Sequence, residues 1–293
     1  MVLWHGYHKY MLTNLRIHRL LWGITAVLAL TAGSAGVIHP SMYQAVVQMV
    51  ISPMTPTPEM TRPLVTPSLM PGMVAQDIIT ILAALTILGL LLGRLSTRLW
   101  AQIVILGLLG SLFYNYGILV IERVYTPFYL VYLAIFGLVF YAFIYAMLSI
   151  DPAIIRSVQL TRRTRITSVV ISLLTPAIFI PLWSLMLTNL IHHHQVPDNL
   201  YSIFILDLCF IMPFFVIVAV LTARNTGFGI LLTPTLYFIG FAVLFPLALG
   251  ELLKPALHMP ISPRDLIPPL ILSLLYLIIA VVILRKLRVV ETA

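Results

Sequence analysis

Carboxylates and carboxamides are scarce in this chain of 293 residues, and most of them interrupt or border long apolar runs. Asp77, Asn115 and Asp207 lie inside such runs, Glu122 closes one, and Gln76 and Tyr116 stand next to the first two. A polar group in so apolar a setting is costly to bury and is retained where it meets a partner, water or a ligand. Along residues 107–122, Gly107, Ser111, Asn115, Ile118 and Glu122 recur at spacings of three and four, which puts them on one helical face. The pattern predicts one outward-facing polar pocket for a small or lipid-like ligand, lined by Asp77, Asn115, Glu122 and Asp207, with Gln76 and Tyr116 beside them. The competing use of the same groups is to cap helices, bond neighbouring helices or snorkel to headgroups.

A second set could hold metal. His192, His193 and His194 are followed by Asp198, with His39 and His258 elsewhere, and Met42, Met49, Met54, Met60, Met70 and Met73 fall between residues 39 and 73. Imidazole and carboxylate suit zinc or copper, and thioethers suit Cu(I). Three consecutive histidines on a helix point in different directions, unlike the i, i+4 pair of a helical zinc motif. The methionines are irregularly spaced, as expected of flexible apolar packing. Metal handling, copper above all, is therefore the second reading. A third is an enzyme acting on lipid-linked substrates through a carboxylate pair, and a fourth is an accessory subunit without chemistry.

No cofactor is indicated. The apolar runs hold no central histidine pair for haem, and Lys9, Lys254 and Lys286 lie too far from their middles for a Schiff base. P-loop, HExxH and GxSxG motifs are absent.

The elements that must position these residues follow from composition. Apolar residues make up 61% of the chain and charged ones 9%, whereas soluble domains are roughly half apolar and about a quarter charged. The mean hydropathy of +1.06 arises from repeated runs, each near the ~20 residues that cross a ~30 Å hydrocarbon core. The spans are expected at residues 20–38, 74–92, 99–121, 126–150, 168–191, 201–223, 230–249 and 267–284. Because backbone groups in lipid must be satisfied internally, and barrel strands need only about 10 residues, these spans should be helices. The expected fold class is an all-α polytopic transmembrane bundle, residues 1–293 forming one integral membrane domain.

A formal charge of +8 and a pI near 9.8 do not point to nucleic acid, since the basic residues are dispersed between apolar runs. Eight spans with an internal N-terminus put Lys9, Arg16, Arg19, Arg94, Arg98, Arg156, Arg162, Arg163, Arg165, Arg224, Arg285, Lys286 and Arg288 inside. Arg62, Arg123, Lys254 and Arg264 fall outside. That bias of thirteen to four predicts cytoplasmic termini in a cell membrane. Residues 39–73, with seven of the 20 prolines, then form an extracytoplasmic loop. The stretch Ala32-Gly33-Ser34-Ala35-Gly36 resembles a signal-peptidase site, but the preceding apolar region of about 19 residues exceeds an ordinary signal core, so the first span is expected to be retained.

Gly89 and Gly93 form a GxxxG pair, and Gly33 and Gly36 set small residues near the end of span one; both suit close helix contact. Pro176, Pro181, Pro213, Pro234, Pro246, Pro268 and Pro269 should bend the later spans. Cys209, the only cysteine, is expected to be a packing residue.

The segments Gln76-Asp77, Tyr114-Asn115-Tyr116, Thr126-Pro127-Phe128-Tyr129-Leu130-Val131-Tyr132, and Asp207 with Pro213 resemble a loose group of uncharacterised prokaryotic multi-pass membrane proteins. The resemblance covers spans two to six, with Ala75 where the group tends to have Gly and Thr126 where it tends to have Asn. It implies a shared helical fold and a role for the same polar positions, and it carries no activity or substrate.

Overall fold

A computed structural model describes residues 11–43, 69–194 and 201–290. In chain order these form α1 (Leu15–Ile38), α2 (Met70–Leu92), α3 (Leu99–Ile121), α4 (Tyr129–Leu148), the short α5 (Pro152–Ser157), β1 (Val158–Gln159) and α6 (Arg162–His192). They continue with α7 (Tyr201–Ala223), α8 (Gly227–Leu253), α9 (Pro263–Lys286) and β2 (Arg288–Val289). All of these helices except α5 are long and apolar enough to cross a bilayer, which makes eight among the described residues. The chain is a multi-pass membrane protein.

The helices start and stop where local chemistry allows. Asp151 caps α5, its Oδ1 accepting the Ala153 amide at 2.7 Å, and Thr226 caps α8, its Oγ1 accepting the Gly229 amide at 3.3 Å. The sixth helix begins at Arg162, six residues before the expected span, because its arginines end the apolar run without ending the hydrogen-bond ladder. Within α7 one π turn, Asp207–Ile211, precedes Pro213. Proline has no amide to give the carbonyl four residues back and its ring crowds that oxygen, so the ladder widens there.

One end of the bundle carries most of the arginines, and its connections are stitched together. The Met11 and Leu12 amides donate to Oε1 of Gln102 at 2.8 and 3.2 Å, and its Nε2 donates to the Ser96 carbonyl at 2.8 Å. Nearby, Leu12 bridges Ile150, and β1 pairs antiparallel with β2. Gly227 lies so close to the Ile155 carbonyl that a Cβ would not fit.

The centre of the bundle is α3 with α8. Of their most apolar stretches 78% and 67% are buried within the protein, against 17% for α6 and 22% for α9. Missing side chains allow this approach: Cβ atoms at Gly107 and Gly110 would collide with Phe238 and Ile239 of α8. On α1, a Cβ at Gly33 would lie 3.1 Å from the Asp77 carbonyl of α2, so this small-residue pair does mediate helix contact. The Gly89/Gly93 pair does not: Gly89 faces open space, and Gly93 meets only its own helix and Leu95.

Candidate functional site

Asp77 and Asp207 are the most deeply buried carboxyls among the described residues, and each has its own partners, whereas Glu251 near the end of α8 pairs with Lys254. Asp77 is 3% exposed on the second turn of α2, pressed against α1 where Gly36 leaves room for it. The Tyr43 hydroxyl donates to Asp77 Oδ2 at 2.5 Å. Tyr43 in turn adjoins Tyr132 of α4, and Thr126 Oγ1 donates to the Tyr132 hydroxyl at 2.9 Å. Burial, and then the adjacent Asp77 carboxyl, push the Tyr43 hydroxyl well above its ordinary range, so it remains a donor. Tyr116 of α3 closes the group, its ring centroid 5.7 Å from that of Tyr132 and its hydroxyl donating to the Ala29 carbonyl of α1 at 3.3 Å.

Asp207 is 6% exposed at the start of the π turn in α7. Its Oδ2 accepts the Trp183 indole N–H of α6 at 2.8 Å, and the Tyr114 hydroxyl of α3 faces the carboxyl. A carboxylate offers about four acceptor positions, so one donor at 2.8 Å leaves capacity for others. An apolar cleft of about 150 Å³ lies between α3, α4, α7 and α8, lined by Phe113, Phe140, Phe143, Phe210 and Phe214 with Ile239 of α8. Phe113 joins its walls, stacking on Phe140 at 5.9 Å and meeting Phe210 edge-on at 5.4 Å. Ile144 and Phe210 frame its mouth, each 40% exposed.

The expected pocket of four polar residues is thus divided. Tyr114 and Tyr116 are two residues apart on α3, hence about 200° apart around its axis, and they serve Asp207 and Asp77 respectively. The axis of α3 stands between the two carboxyls. Glu122 lies at neither: its Oε1 accepts the Ser202 amide at 2.8 Å and so satisfies the first turn of α7. Asn115 and Ser111 share a buried face, and their side-chain polar atoms have no hydrogen-bond partner among the described residues. Gln76 is half-buried, turned about 100° from Asp77 on α2.

The histidine cluster does not converge. His192 ends α6 and His193 and His194 follow it, all exposed, with the first two rings edge-to-face at 5.4 Å. Asp198 and Met49, Met54 and Met60 lie outside the described residues, while Met70 and Met73 are packed in the core. Among the described residues no group of three or more His, Cys, Asp or Glu side chains could hold a metal.

Several partners escaped the sequence reading. Tyr114 and Tyr132 look like members of an aromatic interfacial belt, yet both are buried against carboxyl-centred groups. On α1, His18, Trp22 and Thr25 recur at i, i+4 and i+7, a spacing that could have marked them as one inward face. No family model, curated protein or solved structure matches this chain.

Proposed function

We propose that the protein binds a single-chain, lipid-like amphiphile from within the bilayer, in transport or sensing, with the chain in the aromatic cleft and a hydrogen-bond-donating head at Asp207. The observation that carries this reading is the juxtaposition of an apolar cleft with a buried, partly satisfied carboxyl one helical turn away. Phe210 follows Asp207 by three residues, and Phe113 immediately precedes Tyr114. The residues lining the cleft lie about 14 to 23 Å along α3, α4 and α7 from their first residues, around the middle of a ~30 Å hydrocarbon core. At that depth a flexible acyl or isoprenoid chain reaches it laterally and gains aromatic contact. Its head gains what lipid cannot offer, an acceptor already held in place by Trp183 and Tyr114. The dispersed positive charge supports a cytoplasmic arginine-rich end, which turns Asp207 toward the outer leaflet.

Trp183, bonded to Asp207, is a built-in reporter. A variant with Trp4, Trp22 and Trp100 changed to Phe, in phosphatidylcholine nanodiscs, is titrated with a long-chain alcohol brominated along its tail. The reading predicts saturable quenching that weakens at least several-fold in Phe210→Ala. Quenching that rises linearly with probe content, alike in both proteins, would refute it.

A further inference from the structure

Asp207 has neutral neighbours and no countercharge. The indole N–H of Trp183 bonds it and the Tyr114 hydroxyl faces it. The helices around it are poor in cations: α3, α4, α7 and α8 contain no lysine or arginine, and the arginines of α6 stop at Arg165, about 27 Å along the helix from Trp183. Among the described residues the ion pair is Lys254 with Glu251, at the far end of α8. An ionisable side chain at membrane depth is retained where it meets an opposite charge, water or a ligand. Asp77 also has no cation beside it, but there the Tyr43 hydroxyl and the backbone at Gly36 close over the carboxyl.

The surroundings of Asp207 are those that attract a cation. The Trp183 indole, itself half-buried, meets Phe204 edge-on at 5.8 Å and Phe179 at a tilt at 6.1 Å. The phenyl-lined cleft begins one turn deeper: Gly110 precedes Tyr114 by four residues on α3, and Ile211 follows Asp207 by four on α7. Both steps lead the same way, because α3 starts at the arginine-rich end, where Gln102 bonds Ser96, and α7 finishes there, where Arg165 bonds Asn225. The face of an aromatic ring is the negative pole of its quadrupole and draws a cation toward it, indole most strongly. A neutral head at Asp207 would fill one acceptor position and leave the carboxylate charge uncompensated, whereas an ammonium fills the same position and neutralises it.

We propose that the occupant is cationic: a single-chain amphiphilic ammonium whose N–H is donated to Asp207 beside Trp183 and whose tail lies in the phenyl-lined cleft. This rests on the reading of Asp207 and the cleft as one ligand site, and adds the charge of the head. The chain then supplies the anion and the aromatic faces, and the ligand supplies the positive charge that the surrounding helices do not carry.

The test uses the full chain with Trp183 as its only tryptophan, in phosphatidylcholine nanodiscs at neutral pH. Three probes share one brominated tail, a primary amine, the corresponding alcohol and the N-acetyl amide of the amine, and quenching is read against the mole fraction of each in the bilayer. Half-quenching by the amine is expected at a mole fraction at least about ten-fold below those of the alcohol and the amide, as close charge pairs removed from water require. In Asp207→Asn that advantage should all but vanish. The amide keeps an N–H and loses the charge, so the probe series decides the matter even if Asp207→Asn fails to fold. Equal half-quenching by amine and amide, or an amine advantage undiminished in folded Asp207→Asn, would overturn the proposal. Saturable quenching by the alcohol that weakens in Phe210→Ala, with no advantage for the amine, would overturn the cationic occupant and leave the cleft reading standing. Linear quenching by all three probes would remove both.

Discussion

Asp77 and Asp207 are held on opposite sides of α3, the first beside Tyr116 and the second beside Tyr114. Each carboxyl is supported by a different pair of helices, α1 with α4 for Asp77 and α6 with α7 for Asp207. The two share a backbone and no side chain.

Their substitutions should accordingly be independent. In detergent unfolding of the purified protein, the loss of stability in Asp77→Asn plus Asp207→Asn is expected to equal the sum of the single losses within about 0.5 kcal/mol. A larger coupling would show that the two carboxyls belong to one site after all.

Removing the donor to Asp77 should be more damaging than its size suggests. Tyr43→Phe deletes one oxygen yet leaves a buried carboxyl short of a hydrogen bond, an imbalance of about 1–3 kcal/mol. The same unfolding measurement checks it, and a Tyr43→Phe protein as stable as wild type would mean that the carboxyl has found another donor.

The two glycine pairs should part company. A Cβ at Gly36 would run into the Asp77 carboxyl and the Tyr43 hydroxyl, whereas Gly89 has nothing nearby. Gly36→Ala is expected to lower the thermal midpoint in detergent clearly. Gly89→Ala should leave it unchanged or raise stability by up to about 1 kcal/mol, because alanine is the better helix former.

Glu122 should behave as a cap. Glu122→Ala removes the acceptor of the Ser202 amide and is expected to cost about 1 kcal/mol, while Glu122→Gln keeps an oxygen there and costs little. Neither change should alter quenching of Trp183 by the brominated alcohol, a readout that a pocket-lining role would move.

The eight long helices were legible because each apolar run is long and bounded by charge or proline, and the bilayer leaves the backbone few alternatives. Helix ends were less so, as α6 shows, since arginine is compatible with helix and marks only the edge of the apolar stretch. The burial of Asp77, Asn115 and Asp207 could be foreseen from their position within apolar runs. Their company could not, because it depends on how each helix is rotated about its axis and on which helices become neighbours. Tyr116 was a candidate and does adjoin Asp77, whereas Trp183 stands in an apolar run beside Ser184 with no carboxylate near it in sequence to announce its bond to Asp207. The same limit explains the glycines: GxxxG is visible as spacing, but only the packing of α1 on α2 makes the Gly33/Gly36 pair the one in use.

The widened turn at Asp207–Ile211 has a consequence for any change in chain length there. Such a turn absorbs a surplus residue without lengthening the rod, so a deletion of Leu208 or Cys209 would let the strict four-residue repeat resume while the segments on either side keep nearly their present bearing. The same deletion elsewhere in α7 would swivel one side against the other by roughly 100°, so this turn is where the helix best tolerates the loss of a residue.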